Sequence, residues 1–162
     1  MQNIIPQLLY LSNLIESKGV YVLLEALALL INEGVVFHCN LVGGEADIST
    51  KPLNKKISDL NLDEYVNYLG KMYDDEKNDI LKSSDIFIFP TFYPNECFPL
   101  VLLEAMQFNL PIISTNEGGI PDIVRNGITG FLVDKQSSKQ LGEKIKYLIE
   151  NPTNASLMGK QG

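Results

Sequence analysis

The sequence predicts a doubly wound α/β fold around a parallel sheet of about six strands. Three observations predict it. Short apolar runs alternate with longer helical stretches along the chain. Several runs are apolar at consecutive positions, as in Ile86-Phe87-Ile88-Phe89 and Pro111-Ile112-Ile113, the pattern of strands covered on both faces. Pro52, Pro99 and Pro121 each fall near the start of a helical stretch, where a missing N–H costs nothing.

Strands are predicted over 7–12, 35–42, 65–69, 85–89, 110–114 and 130–133. Helices are predicted between them over 18–32, 52–61, 74–83, 99–108, 121–125 and 137–150. Asn126-Gly127 marks a turn ahead of the last strand. Regular β-α alternation implies parallel strands joined by right-handed crossovers, in a Rossmann-like, three-layer α/β/α arrangement. Ligands in such sheets bind beyond the carboxyl ends of the strands, so the loops after Leu11, Val42, Leu69, Phe89 and Ile113 are the ones to inspect. The chain opens almost directly into a strand. It closes with Asn151-Pro152 and a weak helical segment over 155–160, as a piece of a longer polypeptide would.

The 162 residues suit one domain, 1–162, with an ordinary globular composition of 45% hydrophobic and 20% charged residues. The net charge is −7, with Arg125 the only arginine and the lysines scattered. That excludes the basic stripe of a nucleic-acid binder and a polybasic membrane patch. An anionic ligand would have to be held locally, by backbone amides, a helix end and one or two lysines. Cys39 and Cys97 stand far apart, without metal spacing, and read as free thiols in a reducing, cytoplasmic setting. No apolar run reaches membrane-spanning length, and Met1-Gln2-Asn3 does not begin a signal peptide.

The most informative segment runs from Tyr93 to Met106. A polar loop, Tyr93-Pro94-Asn95-Glu96-Cys97-Phe98, leads into a helix that is apolar almost all round yet contains Glu104. With a start near Pro99, Glu104 lies on the order of 7 Å along that helix. A carboxylate among Leu102, Leu103, Ala105 and Met106 is costly unless something donates to it. A ribose offers two adjacent hydroxyls to its two oxygens. The first-turn amides near Phe98 and Leu100 have no intrahelical partner and favour an anion at the helix mouth. Taken singly, Glu104 reads as a helix acid with a core or solvent partner and Glu96 as an exposed loop acid. Eight residues apart across one strand-loop-helix junction, they read as a pair serving one ligand.

The stretch from Glu96 to Glu104 is similar to the E-x7-E element of retaining glycosyltransferases in family 4, which have the two-domain GT-B fold. The runs 98–106, Leu110-Pro111-Ile112-Ile113, Gly118-Gly119-Ile120-Pro121-Asp122 and 126–133 follow that family in order and spacing. The resemblance covers nearly the whole chain and implies the C-terminal, donor-binding domain of such an enzyme. It implies that Glu96 lies near the donor sugar and that Cys97, Phe98, Pro99 and Leu100 flank sugar and phosphate. Pro99 has no N–H to offer, and Cys97 stands where glycine is more usual. Glu104 would bind ribose.

Leu11-Ser12-Asn13 through Ser17-Lys18-Gly19 ends the first strand and opens the first helix, and resembles the family's Gly-Arg…Lys-Gly element. Lys18 matches its diphosphate lysine, while Asn13 falls where an arginine is usual. Gly43-Gly44 lets a backbone approach a ligand closely, which makes Gly44 a donor contact by resemblance. Leu69-Gly70-Lys71-Met72 resembles the segment that meets the nucleobase, which brings in Met72; a strand-ending turn explains it equally well. Gly118-Gly119 serves either the turn or the donor. His38, on a strand beside Phe37 and Cys39, reads as structural. There is no Asp-x-Asp and no His/Cys/acid cluster, so no metal ligands are assigned.

The expectation is therefore a retaining, metal-independent transferase that uses a nucleotide sugar, such as a UDP- or GDP-sugar, as substrate and needs no further cofactor. Lys18 and Glu96 are its catalytic residues. The acceptor, a glycan or glycolipid, would meet an N-terminal domain that lies outside this chain, leaving the chain alone inactive; membrane contact of the longer protein stays open. A non-catalytic nucleotide-sugar-binding module is the alternative, with a GT-B sugar-nucleotide epimerase behind it. A dinucleotide-binding oxidoreductase would need Gly-x-Gly-x-x-Gly where Ser12-Asn13-Leu14-Ile15-Glu16-Ser17 stands.

Overall fold

The computed structural model describes residues 4–162. All six predicted strands form, and they pair in parallel in one sheet. They are β1 (Gln7–Leu11), β2 (His38–Val42), β3 (Val66–Gly70), β4 (Ile86–Ile88), β5 (Ile112–Thr115) and β6 (Gly130–Val133). Their order across the sheet is β3-β2-β1-β4-β5-β6, so the winding reverses between β1 and β4. The helices are α1 (Val20–Asn32), α2 (Thr50–Asp59), α3 (Asp74–Lys82), α4 (Leu100–Gln107), α5 (Ile120–Ile123), α6 (Ser138–Glu150) and α7 (Pro152–Gln161).

Strand alternation builds two cores from one sheet. Leu8, Tyr10, Ile86, Ile88 and Ile113 enter the core beneath α1, α2, α6 and α7. Leu9, Leu11, Phe87, Phe89 and Ile112 enter the other, beneath α3, α4 and α5. Each central strand thus needs apolar residues at every position, which is why those runs showed no polar break. Burying a large aliphatic side chain contributes about 1.5–3 kcal/mol, so both cores hold the sheet firmly under its loops.

Several predicted boundaries move, each for a local reason. The strand expected from residue 35 begins at His38. Gly34 turns with φ +77°, and the Val35 amide folds back to the Leu30 carbonyl, so 33–35 finish α1 instead. The helix expected from residue 18 begins at Val20, because Glu16–Lys18 form a separate 3-10 turn. Pro99 is the residue ahead of α4 rather than within its first turn. The weak closing segment is a full helix, with Pro152 at its start and Ala155 and Met158 buried against the first core. Among the described residues no helix is long and apolar enough to cross a membrane. Met1, Gln2 and Asn3 lie outside the described residues.

Candidate functional site

A cleft of about 660 Å³ opens at the carboxyl edge of the sheet, over the ends of β1, β2 and β3, and is bounded on the β4 side by Tyr93 and by α4. Its walls bring together Asn13 and Lys18 from the loop after β1, Gly44 after β2, Met72 after β3 and Glu104 from α4. A second cavity, about 350 Å³, lies at the opposite edge around Asp85, Pro111 and Pro152, and holds none of the predicted site residues.

The loops after β1 and β2 are joined by main-chain bonds that carry the strand ladder past its end. Ser12 N–H donates to Val42 O at 2.9 Å, and Leu14 N–H to Gly44 O at 2.8 Å. The Gly44 amide donates to Asn13 Oδ1 at 3.2 Å, so Asn13 stabilises the neighbouring loop. Gly43 donates to Gly70 O at 2.8 Å and accepts from the Tyr68 hydroxyl at 2.6 Å. Glu45 turns away from the cleft and accepts from Thr50 N–H at the start of α2, which holds its carboxyl below the usual carboxylate range.

Lys18 sits on the 3-10 turn, anchored from below. The Tyr10 hydroxyl donates to the Lys18 carbonyl at 3.2 Å, and burial pushes the Tyr10 phenol up, keeping it protonated. Phe92 N–H donates to Ser17 O at 2.7 Å, tying this turn to the loop after β4. The Lys18 ammonium donates to both oxygens of Glu96, at 3.0 and 2.8 Å, and lies 4.4 Å from the centre of the Tyr93 ring. Glu96 is only 7% exposed and also accepts from Thr91 Oγ1 at 2.9 Å. Glu96 is therefore a buried acid, satisfied by a cation and a hydroxyl, and not the exposed loop acid its position alone would give. It reaches the cleft through Lys18.

Glu104 points into the cleft and pairs with Lys77 of α3 at 2.6 Å, each side chain 30% exposed. One ammonium on one carboxylate oxygen leaves room for further donors on the other.

Cys97, Phe98, Pro99 and Leu100 do not line this cleft; they form its outer shoulder. Phe98 and Leu100 are exposed and Pro99 is buried. The amides of Cys97, Phe98 and Leu100 have no acceptor among the described residues. Cys97 is exposed, with its thiol 3.5 Å from Asn95 O. Gly118-Gly119 serves this loop directly: Gly119 N–H donates to Cys97 O at 2.7 Å. Sequence reasoning missed Thr91, Lys71 and Lys77. Lys77 matters through Glu104, 27 positions on, and no local pattern marks such a pair; Thr91 lies only five positions before Glu96, but its role shows only once Glu96 is seen to be buried. No three His, Cys, Asp or Glu residues among those described are grouped as metal ligands would be.

The chain is similar to a capsular polysaccharide biosynthesis glycosyltransferase, CapM, of Staphylococcus aureus, at 27% identity over 94% of this chain and 39% of that protein. It is 29% identical to the N-acetyl-alpha-D-glucosaminyl L-malate synthase of Bacillus anthracis, over 95% of this chain and 39% of that one. Among solved structures it resembles Anabaena HepE in complex with UDP-glucose, with TM-score 0.86 and 25% identity over 98% of this chain and 43% of that chain. The C-terminal domain of the group 1 family protein LpcC from Francisella tularensis superposes with TM-score 0.83 over 97% of this chain and 83% of that one; at 23% identity the likeness is one of fold. The chain spans about two fifths of the length of the curated relatives it matches. Its sheet and helices are those of the C-terminal half of a GT-B glycosyltransferase. Residues 5–162 match the family of glycosyl transferases group 1, and the chain belongs to that family.

Proposed function

We propose that this chain grips the nucleoside diphosphate of an activated sugar, and that the longer protein transfers the sugar with retention of configuration and without a metal ion. The observation that carries this reading is the convergence of Lys18 and Glu104 on one cleft at the switch point of the sheet. The HepE relative, solved with UDP-glucose, supports a nucleotide sugar as the ligand class.

In this reading Glu104 accepts from the ribose hydroxyls, the base lies by Met72, and the loop at Gly44 borders the ligand. As the bond from the sugar's anomeric carbon to the diphosphate oxygen breaks, its electron pair stays on the diphosphate. Lys18 and the unpartnered amides of Cys97, Phe98 and Leu100 stabilise that charge, an electrostatic contribution to catalysis. The acceptor hydroxyl attacks on the face the leaving group departs from, and its proton passes to the diphosphate. Glu96 acts on the sugar end through Lys18, whose ammonium it holds in place. Acceptor contacts come from residues outside this chain, so the chain alone binds nucleotide and transfers nothing.

Titration of UDP, GDP and ADP by calorimetry tests the binding claim. Affinity for at least one is expected, and Glu104→Gln is expected to weaken it by about 1–3 kcal/mol. Absence of binding at millimolar concentration for all three removes the reading.

A further inference from the structure

Three lysines line the cleft, and they are not in the same electrostatic condition. Lys18 is neutralised by Glu96 and Lys77 by Glu104. Lys71, at the exit of β3, has no carboxylate partner among the described residues. Its side chain lies across Gly44: a Cβ built on Gly44 would collide with the Cε of Lys71 and come within 3.0 Å of its Cγ. Gly44 is therefore the residue whose lack of a side chain lets Lys71 lie along the cleft floor. The nearest acid in sequence on that loop, Glu45, is engaged at the start of α2. Beside Gly44 stands the neutral amide of Asn13. The part of the cleft over residues 13 and 44 thus has one ammonium group, aliphatic stem packed, and no anion to satisfy it.

We propose that Lys71 is the second cation of the site, binding the diphosphate of the ligand from the β2–β3 side while Lys18 faces it from the β1 side. This rests on the function proposed above and assigns a residue to it. Lys71 is free to meet an anion without first breaking an ion pair, whereas Lys18 must share itself with Glu96. Lys71 therefore contributes to ground-state affinity for phosphate, and Lys18 to the charge that grows as the sugar leaves.

The test is calorimetric titration of UDP, with uridine followed by NMR, into the chain and its variants Lys71→Gln, Lys71→Arg and Asn13→Arg combined with Lys71→Gln. Glu104→Gln serves as the reference for the site itself. Lys71→Gln is expected to weaken UDP about tenfold and leave uridine unchanged. Lys71→Arg should bind UDP as the parent does, and Asn13→Arg should restore what Lys71→Gln loses, because it returns a cation beside Gly44. A UDP affinity within about twofold of the parent in Lys71→Gln overturns the proposal while Glu104→Gln still reports a working site. So does a parallel loss of uridine, which would make Lys71 a packing residue over Gly44, and so does the failure of both arginines to hold affinity. If the parent binds none of UDP, GDP and ADP, the functional reading itself falls, and the role of Lys71 with it.

Discussion

Gly118 lies directly beneath the carbonyl of Glu96, so close that a Cβ at position 118 would overlap that oxygen. Its φ of +50° is also one that a side chain strains. The glycine pair of the loop after β5 is thus the seat on which the acid-bearing loop rests. Gly118→Ala is expected to displace residues 96–97, lower stability by about 1–3 kcal/mol and abolish nucleotide binding. Urea denaturation with parallel titration checks it; a variant of parental stability and affinity contradicts it.

Breaking the Lys18–Glu96 pair from one side should cost more than removing both charges. Lys18→Met leaves a nearly buried carboxylate with only the Thr91 hydroxyl to satisfy it. The expected loss is about 3–5 kcal/mol, reduced somewhat by the 16% exposure of Lys18. Adding Glu96→Gln to Lys18→Met should recover a large part of it. Denaturation of both single variants and the double variant completes the cycle, and additive losses would show that the pair is not coupled.

The two thiols should differ sharply in reactivity. Cys39 is fully buried in β2, and burial pushes its thiol up. Cys97 is exposed. In the native protein a thiol reagent near pH 8 is expected to modify Cys97 alone, with Cys39 reacting only on unfolding. UDP is expected to slow Cys97 modification, because the proposed diphosphate site includes the Cys97 amide, and an unchanged rate would contradict that contact. Mass spectrometry of the labelled peptides reads both outcomes.

Glu45 gives the acid limb of stability a definite sign. Its folded carboxyl is held low, first by the Thr50 backbone amide and then by the Thr50 side chain. Its contribution is therefore present above the unfolded value, about 4.3, and is lost as pH falls through the lower folded value. Glu45→Gln should melt below the parent at pH 7, and the gap should close under acid conditions. Thermal melts across pH 2.5–7 on the order of half-unit steps would expose a gap that stays constant, which would contradict this origin.

The sheet was legible because its central strands are buried on both faces, which makes runs such as Ile86-Phe87-Ile88-Phe89 apolar throughout, and because their short length and regular alternation with helical stretches favour strands. The edges were less so. Val35 has the composition of a strand, yet its amide closes the end of α1, a choice made by Gly34 and not by side-chain pattern. Lys18 reads as the head of a helix, but Gly19, at φ +90°, ends a separate turn there. In the site, Glu104 and Lys18 announced themselves by standing out from their surroundings. Lys77 did not, since an exposed-looking lysine on a charged helix is ordinary until α3 is laid beside α4. The burial of Glu96 was hidden for the same reason: its partner is 78 positions away.

The stitched loops after β1 and β2 have a consequence for how this protein can change. Main-chain bonds from Ser12 and Leu14 hold their shape, and those bonds do not depend on which side chain occupies position 13. That position is an interchangeable fitting on a fixed mount. Exchanging it gives up one side-chain tie, from the Gly44 amide to Asn13 Oδ1, and alters the charge presented to a ligand, while the main-chain bonds keep the mount where it was, so lineages and engineers alike can retune the grip here without rebuilding the hand.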